Sequence, residues 1–150
     1  MQLIRIYEMP PCRMVVSPIA MFGTPEMDAF EAWMNTQPHT LFPQDFLTFD
    51  DSDPAHSGFR WYFMYKEGMV IPDGAELVDL RGGMYAVATG IDQQTDKKAM
   101  DAAVTEFLNR HGMQRDDSRR ELGNIITSPA VREALGYEQM DYYYPVRPAK

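Results

Sequence analysis

The chain has 150 residues, of which 45% are hydrophobic and 24% charged, with a formal net charge of -8 and a pI near 4.8. That balance fits a globular domain large enough to bury a core and excludes a disordered chain. Without a basic stripe to neutralise phosphates, direct nucleic-acid binding is not expected, and no apolar run approaches the roughly 20 residues a bilayer span needs.

Residues 2–8 and 12–17 alternate as strands, separated by Pro10-Pro11, which cannot donate to a ladder. This N-terminus lacks the basic, apolar and small-residue regions of a signal peptide, so a cytoplasmic location is expected. Cys12, the one cysteine, excludes an internal disulfide and suits an inert core thiol. Thr24 is placed to cap a helix, with Pro25 and Glu26 in its first turn. Met27, Phe30 and Met34 recur at helical spacing beside Trp33, and the helix should end near Asn35. Residues 36–45 read as loop, and Phe46 to Phe49 as a short strand. Asp50-Asp51-Ser52-Asp53-Pro54 is a turn that lacks the central Gly and terminal Glu of a calcium loop. Residues 58–66 form a long aromatic strand.

The order then restarts. After a turn at Pro72-Asp73-Gly74, strands at 75–80 and 84–90 bracket Gly82-Gly83, read as a hairpin turn. Thr95 or Asp96 caps a helix reaching about His111. Met100, Val104, Phe107 and Leu108 face inward, and Gly112 is a left-handed stop. Arg119-Arg120 reads as part of a solvated turn. Residues 121–127 are a strand, Ser128-Pro129 to Gly136 a short helical turn, and 139–146 the last strand.

This restart is a duplication. Ile4 to Ser17 aligns without a gap against Ala75 to Ala88, and each copy is followed by an amphipathic helix and closes on an aromatic strand. The expected fold is α+β: two strand–helix–strand–strand units, approximately 1–66 and 75–147, in one domain. Their curved antiparallel sheet would carry both helices on one face about a pseudo-twofold axis. Pockets favour such junctions, so a groove between the halves is the expected ligand site.

His39, His56 and His111 are scattered without metal-ligand spacing, and no phosphate-binding loop or dinucleotide fingerprint appears, so no metal and no cofactor are expected. The acidic surface favours cationic or neutral small ligands, or a basic protein partner. Glu121 opens the apolar strand Leu122-Gly123-Asn124-Ile125-Ile126-Thr127. From spacing alone it reads as solvent-facing or as a partner of Arg119 or Arg120. On a strand beside an aromatic groove it would instead be partly desolvated and attract a cation. Its counterpart in the first half lies near Asp45 or Phe46.

The run from Ala75 to Gly90, the helix after it, Arg120-Glu121-Leu122 and Tyr143-Tyr144-Pro145-Val146 together resemble the gyrase-inhibitory-protein-like ligand-binding domain. That family includes the effector domains of AraC-type and MerR-type multidrug regulators. Ile6-Tyr7-Glu8-Met9-Pro10, the strand ending in Asp50-Asp51 and the aromatic strand agree in the first half. The resemblance covers essentially the whole chain, through the order and spacing of its motifs. It implies the duplicated fold and places Glu121 at the position where an acidic residue meets cationic ligands amid aromatic rings. Many relatives carry an aromatic residue two positions beyond that Glu, where this chain has Gly123. No helix-turn-helix module fits within the chain, so a stand-alone domain is expected.

Trp61, Phe63 and Tyr65 share one strand face and are expected to line the groove with Tyr142, Tyr144 and Glu121. A register one residue away would present Tyr62, Met64 and Tyr143 instead. The function expected is binding of amphipathic aromatic or cationic small molecules. Two alternatives stand beside it: a hydrolase of reactive cyclopropane-type compounds using Glu121, and an acidic module that regulates gyrase or a transcription factor by protein contact.

Overall fold

Pro10-Pro11 and Arg81-Gly82 mark the places where the chain passes between two compact units, one formed by Pro11–Arg81 and the other by the residues up to Pro10 with Gly82–Lys150. The computed structural model describes residues 3–38 and 44–150. In chain order the elements are β1 (Ile4–Met9), β2 (Cys12–Val16), α1 (Pro25–Asn35), β3 (Asp45–Asp50), β4 (Gly58–Met64), β5 (Glu76–Leu80) and β6 (Gly83–Ile91). They continue with α2 (Lys97–Arg110), β7 (Met113–Arg115), β8 (Leu122–Ile125), α3 (Pro129–Leu135) and β9 (Gln139–Pro148). The class is α+β, with antiparallel pairing in both units.

In the Pro11–Arg81 unit the strand order is β5-β2-β4-β3, and in the other it is β1-β6-β9-β8, with β7 added on β9. Each repeat therefore lends its opening strand to the unit built by the other repeat. Gly82-Gly83 accordingly makes no hairpin: β5 pairs with β2, and β6 with β1. Two glycines mark a sharp change of direction, and a local signal of that kind does not say which distant strand receives the chain. Gly82 and Gly83 have φ of 76° and 124°, and a Cβ on Gly83 would lie 2.7 Å from the Arg119 guanidinium.

The ungapped match of the opening strands reappears in the ladders. Tyr7 pairs with Tyr85, and the equivalent residues Val78 and Met14 also pair. Val15 pairs with Phe63, and its equivalent Ala86 pairs with Tyr144. Phe63 pairs in turn with Asp45, while Leu122 pairs with Tyr143 and so brings Glu121 level with Tyr144. Asp45 and Glu121 thus hold equivalent positions, as do Trp61 and Tyr142.

Helix boundaries follow the sequence chemistry. The hydroxyl of Thr24 accepts from Met27 N, Asp96 from Ala99 N, and Ser128 from Val131 N. Gly136 ends α3 in the left-handed conformation. In each unit the helix covers the equivalent face. Phe30 and Met34 of α1 pack on Val15 and Phe63, and Met100, Val104 and Leu108 of α2 pack on Ala86, Ala88, Tyr144 and Val146. Among the described residues no helix is long and apolar enough to cross a membrane.

Candidate ligand-binding residues

Three of the six residues singled out in the sequence meet at the start of α2. Lys97 Nζ lies 3.0 Å from Glu121 Oε1 and 2.9 Å from Asp101 Oδ1, and stands 4.7 Å from the ring centre of Tyr144 and 5.7 Å from that of Tyr142. Arg115 lies 4.7 Å over the Tyr144 ring and 3.9 Å from Glu121 Oε2. The Tyr144 hydroxyl donates to Asp101 Oδ1 at 2.8 Å. Burial pulls the Lys97 amine down, but the bonds to Asp101 and Glu121 outweigh it and hold the ammonium well above its ordinary range. Burial, then the bond to Asp101, pushes the Tyr144 phenol well up. A carboxylate beside ring faces is what the sequence offered to a cationic ligand; here the chain's own lysine sits in it. The Glu121 side chain is half exposed.

Trp61, Phe63 and Tyr65 lie together in the Pro11–Arg81 unit, on the face covered by α1. Phe63 is buried among Val15, Phe30 and Met34, while Trp61 and Tyr65 are half-buried at the margin of that cluster. Trp61 Nε1 donates to Asp45 Oδ2 at 2.9 Å. Burial raises the Asp45 carboxyl above its usual range, a shift the Trp61 bond partly offsets. Around Trp61 a chain of rings reaches the surface. Phe22 stands edge-on to the indole at 5.9 Å and 4.9 Å from Phe59, which contacts Phe49 at 5.2 Å. Phe22 and Phe49 are 51% and 45% exposed.

The opposite faces carry the residues of the alternative register. Tyr143 is buried between Tyr7 and Tyr85, with ring centres 6.2 and 6.0 Å away in edge-on geometry. Burial, reinforced by the charge of Asp141, pushes its phenol up to about 12. Arg5 pairs with Asp141 at 3.0 Å, joining β1 to β9; at the equivalent positions Glu76 pairs with Arg60, joining β5 to β4 with the charges reversed. The repeats thus keep the bridge and exchange its signs.

Sequence reasoning missed several participants. Lys97 and Asp101 have the i, i+4 spacing of a helical ion pair, a signal too common to single them out. Arg119, read as part of a solvated turn, is almost fully buried. It donates to the carbonyls of Gly82 (3.2 Å), Met84 (2.9 Å) and Val146 (2.9 Å) and to Asp116 (3.0 Å), with its guanidinium 4.7 Å over the Tyr85 ring. A loop arginine gives no hint in sequence of the carbonyls that will converge on it. Among the described residues no three His, Cys, Asp or Glu side chains could hold a metal; His39 lies outside those residues.

No protein-family model matches the chain, and no curated protein sequence matches it. Solved structures do. EcmrR in complex with DNA aligns with a TM-score of 0.67 at 8% identity, covering 98% of this chain but only 58% of EcmrR. The EcmrR C-terminal domain alone aligns over 99% of both chains, with a TM-score of 0.65 and 8% identity. A hydrolase from Listeria innocua gives 0.67 at 11% identity, over 96% of this chain and 91% of the other. SAV2435 bound to tetraphenylphosphonium gives 0.56 at 8% identity, over 97% and 94%. The chain therefore shares the fold of the EcmrR C-terminal domain and of SAV2435, as its resemblance to the gyrase-inhibitory-protein-like ligand-binding domain implies.

Proposed function

We propose that this chain is a small-molecule-binding domain for amphipathic aromatic compounds and organic cations. Glu121, Tyr142 and Tyr144 would make the cation contacts in one unit, with Trp61 and Tyr65 offering half-buried rings in the other, beside the buried Phe63. The observation that carries the reading is the seat of Lys97. An ammonium resting on two ring faces against a carboxylate supports a preference of this surface for positive charge. The shared fold with a protein bound to tetraphenylphosphonium supports the same chemistry.

Calorimetric titration with tetraphenylphosphonium tests it. Saturable binding is expected. Glu121→Gln keeps the volume and removes the charge, so it should weaken the phosphonium by about 1–3 kcal/mol and spare neutral ligands of similar shape. Lys97→Met removes the resident ammonium while keeping an apolar stem, so it should tighten phosphonium binding. Absence of binding at millimolar ligand rejects the function. Equal losses for charged and neutral ligands would show that Glu121 acts through structure.

A further inference from the structure

We infer that the corner of the Pro11–Arg81 unit around Met21 and Phe22 is a docking surface for a basic, amphipathic segment of another protein. This role goes beyond small-molecule binding and is independent of it. The first observation is apolar exposure. Met21 and Phe22 are each 51% exposed, and Phe49 is 45% exposed. Phe59 joins the two rings, its centre 4.9 Å from that of Phe22 and 5.2 Å from that of Phe49. Apolar side chains exposed singly are ordinary, whereas a contiguous set marks a place of contact. The second observation is that this corner is held in place before anything binds. Ala20 and Phe59 exchange backbone hydrogen bonds of 3.0 and 2.9 Å, which fasten the loop after β2 onto β4. A Cβ on Gly58 would lie 3.1 Å from the Ala20 backbone, so glycine at this position permits the approach. The Thr24 hydroxyl donates to the Met21 carbonyl at 2.7 Å. Met21 and Phe22 therefore stand on a short loop tied on both sides, and a partner has little left to order.

The third observation is charge, and it decides which partner fits. The Pro11–Arg81 unit has eleven Asp and Glu against four Lys and Arg, so it carries -7 of the chain's formal -8. From Met14 to Phe59 there are seven carboxylates and no Lys or Arg. Several of them stand at the two ends of the ring chain. Phe49 runs directly into the acidic turn that begins at Asp50, and the strand returning from that turn brings Phe59 opposite Phe49. Phe22 is followed by Thr24, the cap of α1, whose first turn holds Glu26 and Asp28. Glu26, Asp28 and Asp53 are exposed, and among the described residues none of the three is in an ion pair. A segment with an apolar anchor and Lys or Arg beside it satisfies both features, the anchor on Phe22 and Phe59 and the cations on the carboxylates. The same carboxylates turn away other occupants. An anionic bilayer would meet like charge, and so would a second copy presenting this corner.

The test uses the full chain and a labelled amphipathic peptide with a leucine stripe and lysines elsewhere, read by fluorescence anisotropy. Saturable binding is expected, with added salt slowing association more than it speeds dissociation. Peptides with Glu for every Lys, or Ser for every Leu, should bind at least tenfold more weakly. Phe22→Ser should weaken the lysine peptide at least tenfold, and Met21→Ser several-fold. Glu26→Gln with Asp28→Asn should weaken it several-fold. Glu106→Gln with Glu133→Gln, which removes two exposed carboxylates of the other unit, should change it less than twofold. Absence of saturable binding, or affinity within twofold of the parent in Phe22→Ser, overturns the surface. If that variant does not fold, unchanged affinity in Met21→Ser overturns it equally. Equal losses from the two carboxylate pairs would show attraction to net charge alone and overturn it too. So would Phe22-dependent binding to phosphatidylglycerol vesicles, or Phe22-dependent dimerisation in sedimentation, since each names a different occupant.

Discussion

Arg119 concentrates more backbone contacts than any residue the sequence recommended. Its guanidinium joins the residue before β6, the start of β6 and the end of β9 through three carbonyls, and its Nε–H donates to Asp116. Arg119→Met should cost about 3–5 kcal/mol in chemical denaturation, because it leaves buried acceptors unpaired. Arg119→Lys should recover little of that loss, since an ammonium cannot reproduce the planar fork. A loss below 1 kcal/mol would show that water replaces the side chain. Tyr143 gives a second check. Its phenol is raised to about 12 from an unfolded value of 10, so the native state keeps the proton longer. Its contribution to stability is intact below pH 10 and is lost as pH rises through 12. Melting temperature should therefore fall less steeply across pH 10–12 in Tyr143→Phe than in the parent. Tyr144 is shifted in the same direction and adds to the slope in both proteins. Identical slopes would mean that Tyr143 is not desolvated.

At the scale of elements, what was legible in the sequence is what local chemistry decides. Thr24, Asp96 and Ser128 are caps because their side chains accept from the first turn, and Gly112 and Gly136 stop helices because they take positive φ. Asp45 was legible as the neighbourhood of Glu121's counterpart once the repeat was aligned. Strand partners were not legible. Nothing in Ile4 to Met9 says that Ala88 to Gly83, rather than Cys12 to Val16, will receive its hydrogen bonds. Nor could the strand Trp61-Tyr62-Phe63-Met64 declare its buried face, because large apolar side chains alternate with others of the same kind and period two carries no contrast. The ladder and the helix settle it: Phe63 lies under α1. β7, three residues long, was missed because so short a segment shows no period.

The molecule as a whole is a duplication whose copies have exchanged their first strands. The Pro11–Arg81 unit is continuous in sequence and holds β2, β3, β4, β5 and α1, whereas the other unit needs residues from both ends of the chain. A peptide spanning residues 11–81 should therefore show α1 helicity and cooperative melting by circular dichroism. A peptide spanning 82–150 lacks β1 with Arg5 and Tyr7, and should gain structure when a peptide of residues 1–10 is added. Full cooperative folding of 82–150 alone would make β1 dispensable.

The exchange also has a consequence on the ribosome. β1 leaves the exit tunnel well before its partner β6 and pairs late, since Ile4 must wait for Ala88. At ordinary synthesis rates that wait is on the order of ten seconds. Meanwhile β5 can already close on β2, so residues 11–81 mature ahead of β1. During that interval Ile4, Ile6 and Tyr7 form an unpaired edge, the kind of segment that trigger-type holdases cover and proteases cut. Chains arrested shortly after Arg81 has emerged should protect α1 from proteolysis and surrender the first ten residues. Chains in which Lys150 has also emerged should protect both.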